Sequence, residues 1–233
     1  MKKKHHCELR IANCELHRIT IFCGHYGSGK TNIAVNFALH LRQAHQKVSI
    51  LDLDIVNPYF RTKDSQKELD AAGVELICSD YAGSNLDIPA LPAAMQRPIA
   101  DHNTFCVLDI GGDDQGAVAL GRFADQIKAE GNDDMLFVAN FFRPLTKTPQ
   151  EAFAVLREIE AACHLPFTGI VNNSNIGDET AVEDILASGE KARRLSELSG
   201  LPLVLTSVRE DLANAKALAD ENVFPLHLQE KLI

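Results

Sequence analysis

The octet GHYGSGKT, Gly24 to Thr31, decides how the rest of the chain is read. It matches G-x-x-x-x-G-K-[ST] at Gly24, Gly29, Lys30 and Thr31. An apolar, β-branched run, RITIFC (18–23), precedes it. The stretch Thr31 to Gln43 follows and places Ile33, Phe37 and Leu41 on one helical face. Strand, glycine loop and helix in that order form the setting in which such a loop holds phosphate. Glycines let successive backbone N–H groups curl around an anion, because no Cβ blocks positive φ angles. The helix N-terminus adds partial positive charge and unpaired donors. Lys30 brings a point charge to the β and γ phosphates, and Thr31 offers a hydroxyl to Mg²⁺. A plain glycine turn accounts for Gly27 and Gly29 but not for the adjacent Lys30 and Thr31.

Further apolar runs lie at residues 47–53, 74–78, 104–110, 135–140, 168–172 and 202–207. They are nearly continuous rather than alternating, the mark of strands buried on both faces. Between them the pattern turns helical. Thr148, Pro149 and Glu151 open one helix with a capping box. Residues 178–199 read as a further helix, or two short ones, closed by Gly200 and Pro202. Strand alternating with helix predicts an α/β protein. The expected form is a single-domain, three-layer α/β/α sandwich with a mostly parallel sheet of about seven strands. Residues 1–17 read as an N-terminal extension and 18–233 as one nucleotide-binding domain. The least regular stretch, Ser79 to Pro98, carries three prolines and reads as a binding loop. The tail ENVFPLHLQEKLI (221–233) is apolar but acidic and broken by Pro225, so it reads as core packing rather than a membrane anchor.

Composition narrows the function. A net charge of −9 argues against unspecific binding to nucleic acid or anionic membrane, and leaves nucleotide binding open. No apolar run approaches the ~20 residues that span a bilayer, and the basic N-terminus lacks a signal core, so a cytoplasmic location is expected. The six cysteines include no C-x-x-C pair. Cys23, Cys78 and Cys106 lie in or beside strand runs and read as buried thiols. Cys7 and Cys14 with His5 and His6 are the alternative, a ligand cluster.

Two more strands end in acid. LDLDIVNP carries Asp52 and Asp54, and FCVLDIGGDD carries Asp109 followed by Gly112 in a D-x-x-G pattern. A parallel sheet places its site at the carboxyl ends of its strands, so these groups converge on the glycine loop. Asp109 would hold Mg²⁺ directly or through water, with Asp52 near the metal. Gly112 would present a backbone N–H to the γ-phosphate. Asp54 would orient or deprotonate the attacking water.

Taken together, GHYGSGKT, LDLDIVNPYF, FCVLDIGGDD and GIVNN resemble the MinD/ParA/Mrp group of P-loop ATPases, the deviant-Walker-A class, over about residues 18–210. The resemblance implies a P-loop NTPase fold of the SIMIBI type. It also implies ATP and Mg²⁺ as cofactors, a protein partner and a homodimer. It implies that Gly24, His25, Tyr26, Gly27, Ser28, Gly29, Lys30, Thr31, Asn32 and Gly112 contact nucleotide. Lys30 and Asp54 would be catalytic, and Thr31, Asp52 and Asp109 would serve the metal. Asn173 falls where the group reads adenine, and Ser207, Val208 and Arg209 would line the base. The group's early loop lysine is His25 here, and Tyr26 replaces a glycine. A histidine is shorter and mostly neutral at pH 7, which weakens the implied ATP-driven dimerisation. Arg61, Arg122 and Arg143 are the candidate substitutes.

Three functions follow from this reading. The first is a nucleotide-switch ATPase acting on a partner. The second is an ATP-dependent ligase or kinase of the dethiobiotin or cobyrinate amidation type, holding a small acid near Asn85 and Asp87. The third is a module that binds nucleotide without turnover. Asn173 is followed by Ser174, Asn175 and Ile176, so the N-K-x-D guanine signature is missing.

Overall fold

The computed structural model describes residues 9–11, 14–54, 62–78, 93–112 and 114–228. The seven expected apolar runs all form strands: β3 (Ile19–Cys23), β4 (Val48–Leu53), β5 (Glu75–Cys78), β6 (Phe105–Ile110), β7 (Asp133–Ala139), β8 (Gly169–Asn172) and β9 (Leu203–Arg209). An eighth, β10 (Val223–Leu226), joins them from the stretch expected only to pack as a tail. All eight pair in parallel, in the order β10-β9-β8-β7-β3-β6-β4-β5. Pro225 is tolerated in β10 because the strand lies at the sheet edge, with β9 as its pairing neighbour. Within the expected N-terminal extension, β1 (Leu9–Ile11) and β2 (Cys14–Leu16) pair antiparallel.

The helices are α1 (Lys30–Ala44), α2 (Gln66–Ala72), α3 (Ala93–Ala100), α4 (Asp114–Gly121), α5 (Ala124–Glu130), α6 (Pro149–Cys163) and α7 (Val182–Ser199). Residues 93–98, read from sequence as loop, are helical in α3, while 79–92 lie outside the described residues. The 178–199 stretch resolves into one long helix, α7, closed by Gly200 in a left-handed conformation at φ 75°. The capping box of α6 forms as expected: Glu151 N–H donates to Thr148 Oγ1 at 3.2 Å, and Thr148 N–H to Glu151 Oε2 at 2.9 Å.

Strand alternation splits the apolar side chains between two cores. Phe22, Ile50, Val107 and Val138 pack against α1. Ile21, Leu51, Leu108 and Phe137 pack against the layer containing α3 to α7. The expected sandwich is therefore present. Ile33, Phe37 and Leu41 are all buried, each contributing about 1.5–3 kcal/mol by removal from water. No described helix is long and apolar enough to cross a membrane.

Candidate functional site

β3 lies between β7 and β6, and its carboxyl end feeds the glycine loop directly into α1. Gly27 and Gly29 adopt φ 76° and 83°, which side chains rarely tolerate. A Cβ on Gly29 would overlap the Asn173 amide, and one on Gly24 would overlap Val138 O. The loop is thus pressed against its neighbours. Lys30 and Thr31, at that N-terminus, are buried, and Lys30 Nζ reaches His25 O at 3.4 Å. His25 is half-buried, its Nδ1 3.1 Å from Tyr26 O, while Tyr26 is exposed.

The acids gather where expected. Asp52 and Asp109 are register partners across β4 and β6. Alternation places both on the α1 face, directly above Ile50 and Val107. Asp109 is fully buried, and Asp52 and Asp54 nearly so. Asp54 N–H donates to Asp52 Oδ1 at 3.0 Å. Thr62, which sequence reasoning missed, donates its hydroxyl to Asp109 Oδ2 at 3.0 Å. Nothing local marks Thr62, because T-K-D-S reads as an ordinary polar turn. Asp109 Oδ1 is sealed from solvent and has no hydrogen-bond partner among the described residues.

Burial pushes the Asp109 carboxyl up to about 6, against the pull of Lys30 and of the Thr31 and Thr62 hydroxyls, and Asp54 raises it further. A buried carboxylate oxygen without a partner is costly unless something fills the gap. Hard oxygen donors from Thr31, Asp52 and Asp109 suit Mg²⁺, which takes one or two protein carboxylates and keeps water and phosphate for the rest. No group of three or more His, Cys, Asp or Glu that could hold a metal ion occurs among the described residues. His5, His6 and Cys7 lie outside those residues. Burial pushes the Cys23 and Cys106 thiols up to about 12, which makes them poor nucleophiles.

Gly112 lies against the loop: a Cβ there would meet Tyr26 N at 2.6 Å and Lys30 Nζ at 2.8 Å. The D-x-x-G segment therefore borders the glycine loop. Farther along the same rim, Asn173, Asn175, Thr180, Ser207, Val208 and Arg209 line a cleft at the ends of β8 and β9. The Asn173 amide is engaged with protein at both ends. Its Nδ2 donates to Ser28 O at 2.6 Å, and its Oδ1 accepts from Ser207 Oγ at 2.5 Å and Asn175 Nδ2 at 3.2 Å. It ties the glycine loop to the cleft. Arg209 is held by Asp211 and by Asp178 O at 2.7 Å. The Asn32 side chain accepts from Asn36 Nδ2 at 2.7 Å.

A parallel α/β sheet with a G-x-x-x-x-G-K-T loop between its central strand and the following helix defines the P-loop NTPase fold. Solved structures agree. FtsY, a cell division protein from Thermotoga maritima, superposes with a TM-score of 0.57 at 16% identity, over 88% of this chain and 66% of that one. FtsY from Mycoplasma mycoides gives 0.53 at 17% identity, over 85% and 62%. The signal recognition particle 54 kDa protein from Aeropyrum pernix, solved with GDP, gives 0.51 at 15%, over 81% and 40%. The chain thus spans 40 to 66% of the length of these neighbours. No family model matches the sequence. No curated protein matches it either.

Proposed function

We propose that the chain binds and slowly hydrolyses Mg-ATP as a MinD/ParA-like switch for a protein partner. The observation that carries this reading is the buried, unpartnered Asp109 Oδ1 beside Thr31 and Lys30, at the mouth of a preformed glycine cradle. The backbone of residues 24–31 would hold the triphosphate. Lys30 would bridge the β and γ oxygens, with Thr31, Asp52 and Asp109 holding Mg²⁺. The metal, when bound, neutralises charge on those oxygens. Asp54 orients the attacking water and accepts its proton. A small acidic protein with these groups would work as a timer, with a partner reading the ATP and ADP forms and a homodimer as one arrangement.

Adenine is favoured by the cleft chemistry. Its described lining includes no carboxylate side chain to accept from guanine N1 and N2, while the Asn173 amide and Arg209 already bond protein. GTP is the second reading, motivated by the GDP bound to the signal recognition particle neighbour. Calorimetry with ATP, ADP, GTP and GDP, each with and without magnesium, separates the two. Magnesium-dependent ATP uptake, lost in Lys30→Ala, is the expected result. Uptake of GTP alone would transfer the reading to guanine, and uptake of neither nucleotide would remove it.

A further inference from the structure

Among the described residues, the cradle would meet a ligand with little positive charge. Asp52, Asp54 and Asp109 crowd the rim, and Lys30 is the cation buried among them. At the position of the early loop lysine stands His25, whose ring is turned to Tyr26 O. A triphosphate carrying about four negative charges needs more than one lysine and a magnesium ion as its charge shifts during transfer.

The sheet order supplies a candidate. β7 is the neighbour of β3, so the loop after β7 lands beside the loop after β3. That second loop is rigidly built. Buried Asn140 accepts from Phe142 N–H at 3.0 Å through its side chain, and from Arg143 N–H at 3.1 Å and Thr146 Oγ1 at 2.6 Å through its carbonyl. Phe141 N–H donates to Ser174 Oγ at 3.0 Å, fastening the loop to the end of β8. The turn carries Arg143 outward over the glycine loop, where its Nε donates to Gly27 O at 2.9 Å. Gly27 makes that approach easy, since a Cβ would come within 3.4 Å of Nε. Nε is occupied, but the two Nη groups have no hydrogen bond or ion pair among the described residues, and the residue is exposed. Of the three arginines weighed from sequence, Arg61 lies outside the described residues and Arg122 follows α4. Arg143 alone of the described pair touches the glycine loop.

We propose that Arg143 is a catalytic arginine supplied in cis, its Nη fork placed on the β–γ region of a bound triphosphate in place of the missing loop lysine. The inference rests on the nucleotide-hydrolysing reading above. A guanidinium suits the task because it is always charged and pairs phosphate oxygens two at a time. In the step it serves, a water oxygen bonds to the γ-phosphorus as the bond from that phosphorus to the β–γ bridging oxygen breaks. The released electron pair stays on the β-phosphate oxygen, where Arg143 stabilises it. The water proton passes to Asp54 and then to solvent, leaving ADP and inorganic phosphate.

The test compares full-length wild type with Arg143→Ala and Arg143→Lys. Turnover is followed at several protein concentrations. Calorimetry measures ADP–magnesium with and without aluminium fluoride, a mimic of the transferring phosphoryl group. A melting curve checks folding, which an exposed residue should leave intact. Expected for Arg143→Ala is a loss of kcat of ~1,000-fold or more, the low end for such arginines, with KM little changed. Affinity for ADP with fluoride should fall while affinity for ADP alone holds, and Arg143→Lys should recover only part of the loss. Equal weakening of both complexes would reduce Arg143 to a loop brace and overturn the proposal, as would wild-type kcat in Arg143→Ala. A rate per molecule that climbs with protein concentration in wild type but stays flat in Arg143→Ala would also overturn it, placing the arginine in trans. If the wild-type protein takes up nucleotide, those results judge Arg143 alone. If it takes up none, this proposal and the reading beneath it fall together.

Discussion

The two ends of the main sheet treat buried charge in opposite ways. At the amino end, Arg18 is buried yet fully engaged. Its Nη1 donates to Pro98 O at 3.1 Å and to Asp101 O and Thr104 O at 3.0 Å. Its Nη2 donates to Ile99 O at 2.7 Å and Glu130 Oε2 at 3.0 Å. Most of those carbonyls belong to the C-terminus of α3 or the turn after it, where a cation also meets the negative end of the helix dipole. At the carboxyl end, Asp109 Oδ1 and Ser28 Oγ are sealed in with no partner. At Arg18 the amino end is chemically closed. The other keeps an acceptor and a hydroxyl in reserve, which water or a ligand would complete.

The sharpest way to break that contrast is at the closed end. Arg18→Ala leaves Glu130 with His102 as its remaining partner and several carbonyls unserved, so stability should fall by about 3–5 kcal/mol in urea unfolding. Nucleotide affinity of the molecules that remain folded should not change. A loss of affinity at constant stability would mean that the two ends are coupled.

Next in size is the open end. The Asp109 carboxyl titrates in the folded chain at about 6 rather than 3.8, so the apo fold favours its protonated form. That contribution is complete below about pH 4 and disappears as pH climbs through about 6. Asp109→Asn should therefore melt above wild type at pH 8 without magnesium or nucleotide, and the gap should close toward pH 4. With saturating Mg-ATP the order should reverse, because wild type gains about 2.7 kcal/mol at a hundredfold excess over Kd and the variant does not. Identical melting curves at both pH values would sink the idea of an unsatisfied acid.

The smallest effect separates filled from unfilled contacts on the same rim. Thr148 caps α6 just beyond the β7 loop, and its bonds are complete. Thr148→Ala should cost about 1 kcal/mol of stability and nothing in nucleotide binding.

What was legible from residues follows the same divide. Strands buried on both faces announce themselves as continuous apolar runs, so β3, β4 and β6 to β9 were visible, and so was the apolar run of the partly exposed edge strand β5. β10 was not, because four residues containing Pro225 resemble a broken tail, and only its pairing with β9 makes them a strand. The short β1–β2 pair carries no hairpin turn signal such as Asn-Gly. At the site, short-range patterns revealed the glycine loop, Lys30, Thr31, Asp52, Asp54 and Asp109. Groups that act across long sequence separations stayed hidden. Arg18 looks like a surface charge until its partners 80 to 112 residues away are placed around it. Arg143 could not be chosen over Arg61 and Arg122 until β7 was known to lie beside β3. Asn173 was expected to read a base, but its bond to Ser28, 145 residues back, gives it a mechanical duty that spacing does not encode.

That duty has a further consequence. One planar amide grips Ser28 with its nitrogen and Ser207 with its oxygen. A displacement of Ser28 by a fraction of an ångström must either rupture those bonds or drag the end of β9 along. Departure of the outermost phosphate would then be felt some distance away at Val208 and Arg209 without any helix sliding. A docking protein could sense the chemical state of the ligand by touching only that distant lip.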